Sequence, residues 1–208
     1  MIDLYYWGTP NGLKISIALE EMALDYHIIP INILANDQFQ PDFLAISPNN
    51  KIPAIVDQNG PRGESISVFE SGAILQYLGR KTGLYYPEDE FERVEVEQWL
   101  MWQMGGFGPM LGQNHHFSRF APERIEYATH RFVEETKRLY GVLNKQLVGQ
   151  DYVAGEYSIA DMAIFPWILR YEWQGISLAD YPEVEKYVER IKARPAVKRA
   201  LELSVQPA

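Results

Sequence analysis

The sequence predicts an α/β domain of order β-α-β-α-β-β-α followed by an all-α domain. Three observations predict it. Strand-like and helix-like patterns alternate through roughly the first 80 residues, the pattern breaks into Gly, Pro, Tyr and acidic residues between Thr82 and Glu90, and every later patterned segment has helical spacing.

Ile2, Leu4 and Tyr6 alternate with other residues, as a short half-buried strand requires. Ile15, Ala18, Leu19 and Met22 then follow the spacing of an amphipathic helix. Residues 26–33 are rich in β-branched side chains and predict a second strand, and 41–46 a short helix. Two further strands are expected at 54–57 and 65–68, separated by the turn-rich QNGPRG. Residues 71–81 close the domain as a helix with Ile74, Leu75 and Leu78 on one face. A strand–helix–strand start needs a crossover, so its strands are parallel, whereas the short link between the last two strands makes a hairpin. That is the topology of thioredoxin-like domains, so the first domain is placed at 1–81.

With 82–89 as a linker, residues 90–208 form the helical domain. A long helix is expected over 91–104, ended or bent by Gly105, Gly106, Gly108 and Pro109. Further helices are expected over 122–147, over 158–174 with a kink at Pro166, and over 182–193 and 196–203. Ser158 and Asp161 have the spacing of a capping box.

The bulk composition removes several function classes. Asp and Glu outnumber Lys and Arg by 28 to 19, a net charge of -9, with no basic run to meet nucleic-acid phosphates or an anionic membrane surface. The chain has no cysteine, so disulfides, thiolate metal sites and a protein thiol nucleophile are excluded, and any redox chemistry is carried by a bound molecule. MIDLYYWG lacks the basic-then-apolar pattern of a signal peptide, so a cytoplasmic protein is expected. His115 and His116 are adjacent and diverge on either a helix or a strand, so no metal is expected there.

Four segments, in order along nearly the whole chain, carry a family likeness. GTPNGLKI resembles the small-residue–Pro–x–x–x–Lys–apolar loop that opens the first helix of many glutathione transferases. NNKIPAIVD resembles their strand preceded by a cis-proline, FESGAILQYL their γ-glutamyl-binding turn and helix, and YSIADMAIFPW their buried N-capping motif. TPNG, PNNKIPAIVD and GPMLGQNHHF together are most similar to the bacterial Nu class. The resemblance implies a homodimer that uses glutathione to reduce small disulfides, with weak transferase or peroxidase activity, and a helical domain that forms the second-substrate cleft. Conjugation of electrophiles is the alternative. The same resemblance extends to the glutathione-transferase-like nitrogen regulators of yeasts, so a non-catalytic binding or regulatory role is the third expectation.

It also implies a set of site residues. A free thiol is only about 3% ionised at neutral pH, and lowering its pKa by about two units takes roughly 2.7 kcal/mol. A helix N-terminus supplies only ~0.3–1 kcal/mol, so directed hydrogen bonds must supply most of it. Thr9 and Asn11, at the start of the first helix, are the expected donors to the glutathione sulfur, with the choice between them open. Each also suits plain helix capping. Tyr6 is a lesser candidate, since alternation turns it toward the core. Ile52 and Pro53 are expected to pair with the ligand's cysteinyl backbone, Glu70 to meet its α-ammonium, and Ser71 its α-carboxylate. Gln38 and Lys51 are expected at the glycine carboxylate, and Arg131 at the glutathione site from the helical domain or a partner subunit.

Overall fold

Alternation buries one face of the first strand: in β1 (Ile2–Tyr6), Ile2, Leu4 and Tyr6 are buried and the residues between them are partly exposed. The chain turns at Thr9 into α1 (Pro10–Glu21); its Ile15, Ala18 and Leu19 and the C-cap Met22 are all buried as their spacing predicts. Gly12 is required by close approach, since a Cβ there would lie 2.3 Å from the Trp7 carbonyl oxygen. β2 (Tyr26–Pro30) ends short of the expected Ile33 because Asn32 starts a turn, accepting from the backbone N–H groups of Leu34 and Ala35. α2 (Pro41–Leu44), β3 (Ala54–Asp57), β4 (Ile66–Phe69) and α3 (Ser71–Thr82) follow in the expected order.

The sheet order is β2-β1-β3-β4, with β1 and β2 parallel and the other two pairs antiparallel. This is the thioredoxin-like arrangement that the pattern predicts. Ile74, Leu75 and Leu78 of α3 are fully buried.

The computed structural model describes residues 1–203 and divides into two compact units. The first comprises Met1–Leu84 together with the chain from Arg194; the second is Tyr85–Ala193. This differs from the partition read from the sequence. The last helix, α9 (Pro195–Leu201), packs on α1 in the first unit, and residues 204–208 of the domain expected to reach 208 lie outside the described residues.

The second unit is helical. α4 (Glu90–Trp102) starts on Asp89, whose side chain accepts from the backbone N–H groups of Phe91 and Glu92. The glycines and Pro109 do not stop the helical path. A π-helical turn at Gln103–Phe107 leads into α5 (Gly108–His115), and a second at His116–Phe120 follows it. Pro109 lies in the first turn of α5, where its missing N–H costs little. Gly108 lets the Gln103 amide approach, since a Cβ would stand 2.5 Å from it. α6 (Glu126–Gln146), α7 (Ile159–Ile168) and α8 (Pro182–Lys192) complete the unit.

α7 is buried along its whole length and carries the expected capping box at Ser158 and Asp161. It ends before the expected 174, and a short 3-10 turn spans Tyr171–Gln174. The Asp161 carboxylate accepts from the backbone N–H groups of Val153 (3.0 Å) and Ser158 (2.9 Å) and from the Tyr187 hydroxyl (3.0 Å). Burial pushes its pKa up to about 6, against the pull of these donors. No helix among the described residues is long and apolar enough to cross a membrane.

Candidate active site

The register of the sheet gathers the candidate residues of the first unit. Tyr5 of β1 lies opposite Ala54 of β3, and Ala54 opposite Phe69 of β4. Thr9 and Asn11 follow β1, Pro53 precedes Ala54, and Glu70 and Ser71 follow Phe69. All three segments therefore leave the sheet at one end. β2, parallel to β1, ends there too at Pro30, opposite Tyr6, and feeds the segment that carries Gln38 and Lys51.

Thr9 is the N-cap of α1, with extended backbone, and its hydroxyl oxygen accepts from the Gly12 N–H at 3.2 Å. The capping role considered from the sequence is thus present. It leaves the hydroxyl proton as a donor, because a hydroxyl both donates and accepts. Asn11 is half-buried in the same turn, and the first turn of α1 has no acidic residue to oppose an anion. Tyr6 is buried on the core face.

The Ile52–Pro53 peptide bond is cis. Pro53 is buried and Ile52 half-buried, and Ile52 packs against the cluster of Ile31, Phe43 and Ala54. Lys51 is exposed, with its backbone carbonyl accepting from the Ser47 hydroxyl at 2.8 Å. The Gln38 side-chain nitrogen donates to the Ile33 carbonyl at 3.3 Å, while its buried Oε1 has no hydrogen-bond partner.

Glu70 has φ 70 and ψ 115, in the left-handed half of backbone space, and its side chain makes no capping hydrogen bond to α3. A non-glycine residue held there costs of order 1–3 kcal/mol. The carboxylate that it carries is exposed. Ser71, the first residue of α3, is buried, and its hydroxyl accepts from the Lys14 ammonium at 3.3 Å.

Sequence reasoning assigned no role to Lys14. Its signal was the Lys of the loop pattern in GTPNGLKI. It is 1% exposed, and burial lowers its pKa to about 7, with the nearby Glu70 carboxylate pulling it back up.

In the second unit, Arg131 is exposed on α6, four residues before Glu135. His115 is buried with its ring against those of Trp167 and Trp173 (both 5.8 Å), and burial, then Arg170 and Arg119, lower its pKa to about 4. Its neighbour His116 is exposed. No group of three or more His, Cys, Asp or Glu side chains among the described residues is placed to hold a metal ion.

Comparison with known proteins decides the family. Residues 2–80 match the glutathione S-transferase N-terminal domain and residues 107–195 the C-terminal domain. The chain belongs to the glutathione S-transferase family. It is 55% identical over 203 residues to the disulfide-bond oxidoreductase YfcG of Escherichia coli K12, covering 97% of this chain and 94% of that protein. A glutathione transferase family member from Pseudomonas fluorescens, crystallised with two glutathiones, superposes with a TM-score of 0.92 at 46% identity, covering 97% and 92% of the two chains. A Pseudomonas putida glutathione transferase with one glutathione disulfide bound per subunit gives 0.93 at 44%, covering 98% and 91%.

Proposed function

We propose that this glutathione S-transferase is a glutathione-dependent disulfide oxidoreductase. The observation that carries the reading is the convergence of the α1 start, the Ile52–Pro53 bond and the Glu70–Ser71 turn at one end of the sheet, in a chain without cysteine. In the net reaction two glutathione thiols become one disulfide and the substrate's S–S bond becomes two thiols, so glutathione supplies both electrons.

The chain's residues bind and orient. Glu70 meets the α-ammonium, while the Ser71 hydroxyl and the backbone N–H groups that open α3 meet the α-carboxylate. Ile52 and Pro53 present a backbone edge to the cysteinyl residue, and Lys51 and Gln38 lie toward the glycine end. The Thr9 hydroxyl proton and the Asn11 side chain hold the sulfur as an anion at the start of α1. Arg131 reaches the ligand as part of the assembled dimer. The name of YfcG and the glutathione disulfide bound to the P. putida protein support disulfide reduction over conjugation to electrophiles.

The homodimer is also proposed. Phe91, Val94 and Met101 form an exposed apolar stripe on α4, with Phe91 87% exposed. Light scattering at micromolar concentration should return twice the 24.0 kDa chain mass. The chain works in the cytoplasm in this account, where glutathione is abundant and reduced.

The test is a side-by-side assay of bis(2-hydroxyethyl) disulfide and an electrophilic aromatic halide, with glutathione binding measured on the same sample. Faster turnover of the halide would transfer the assignment to conjugation. Glutathione binding without turnover of either would leave a binding module.

A further inference from the structure

A lysine in the second turn of a helix ordinarily extends into water, yet Lys14 is 1% exposed with its amine 3.3 Å from the Ser71 hydroxyl, 57 residues away in sequence. Burying an ammonium is costly, and burial lowers its pKa to about 7, so both protonation states are populated at neutral pH. The two states set Ser71 differently. An ammonium only donates, so Ser71 must accept from it and turns its own proton elsewhere. A neutral amine accepts, and the Ser71 proton is then free to turn inward.

We infer that Lys14 is a positioning residue of the γ-glutamyl subsite: as an ammonium it fixes the Ser71 hydroxyl as a donor to the ligand's α-carboxylate, and docking of that carboxylate draws a proton onto Lys14. This rests on the Glu70–Ser71 assignment proposed above. The charged groups on the elements packed against α1 are few. α3 offers Glu70 at its start and Arg80 and Lys81 in its last turn, with Lys81 paired to Asp57. α9 offers Arg194 and Arg199, held by Glu21 and Glu20 at the far end of α1, and exposed Lys198. Glu70 is the charge at the Lys14 end.

The test is calorimetry of the full chain with S-methylglutathione, which has no ionisable thiol to contribute a proton of its own. At pH 7 the binding heat in phosphate and Tris should differ by the uptake of about half a proton. Affinity should fall about tenfold between pH 6 and pH 8, as the ammonium fraction falls. Lys14→Arg should bind with no uptake and a flat profile, and Lys14→Met should bind more weakly, also without uptake. Should one variant fold poorly, the other and the wild-type profile decide. Tight binding with no uptake, or uptake that persists in either variant, overturns the role of Lys14 and leaves the proposed function standing. No binding at all overturns both.

Discussion

The Arg194 guanidinium closes a two-bond fork on Glu21, with Nε 2.6 Å from one carboxylate oxygen and Nη2 2.9 Å from the other. Glu21 is nearly buried, and the fork ties α9 to α1 across 173 residues. Arg199 repeats the tie to Glu20 at 2.6 Å, but from a more exposed position. Arg194→Ala should therefore cost roughly 1.5–3 kcal/mol, read as a lower urea midpoint. Arg199→Ala should cost less than about 1 kcal/mol. Equal effects would contradict the clamp.

Asp161 holds the start of α7 to Val153 and Tyr187 from a fully buried position. Asp161→Ala strands buried donors and removes a capping box, and should destabilise the protein by about 2–4 kcal/mol in a denaturant titration. The pH dependence has a definite sign. Its folded pKa, about 6, lies above the carboxylate's ordinary 3.8, so the folded state holds the extra proton between those values. The stability advantage of wild type over Asp161→Asn should then shrink as pH rises from about 4 to about 6 and level off above it. An advantage that grows through this window would contradict the assignment.

Glu70 pairs strain with proposed binding. Glu70→Gly removes the Cβ from a φ 70 backbone and should raise stability by about 1 kcal/mol while weakening glutathione binding. Glu70→Gln keeps the strain and loses the charge, so it should lower affinity without the gain in melting temperature. Unchanged affinity in both variants would remove Glu70 from the ligand's ammonium.

Much of the architecture was legible because burial in a sheet or helix leaves a period. Ile2, Leu4 and Tyr6, or Val184, Tyr187, Val188 and Ile191, announce an inward face without any long-range information. The cis bond at Ile52–Pro53 came from the family likeness, since an isolated X-Pro is usually trans. What the pattern does not carry is of a different kind. An amphipathic stripe says that a helix packs, not against what, so the ties from Arg194 and Arg199 at α9 to Glu21 and Glu20 of α1 are not legible in it. Gly-Pro at 108–109 reads as a stop, yet proline is tolerated in a helix's first turn, and the path continues through the π-helical turn. A lysine beside an apolar stripe, such as Lys14, reads as solvated. Only the packing of α1 against α3 exposes its contact with Ser71.

The donors at the opening of α1 carry the chemistry of the proposed reaction. Each hydrogen bond to a thiolate is worth roughly 1.5–3 kcal/mol, so Thr9→Ala and Asn11→Ala should each slow disulfide reduction by about tenfold to a hundredfold. Thr9→Ala also loses the cap on Gly12, and its stability should fall by about 1 kcal/mol, which the urea midpoint separates from the kinetic loss.

The most direct measurement is the glutathione-dependent reduction of bis(2-hydroxyethyl) disulfide by wild type and by the Thr9→Ala, Asn11→Ala double variant, with glutathione binding determined on both. The account predicts turnover well above the uncatalysed exchange in wild type, and loss of most of it in a folded double variant that still binds glutathione. A wild-type protein that turns over no faster than the uncatalysed exchange, or a double variant as fast as wild type, would contradict it.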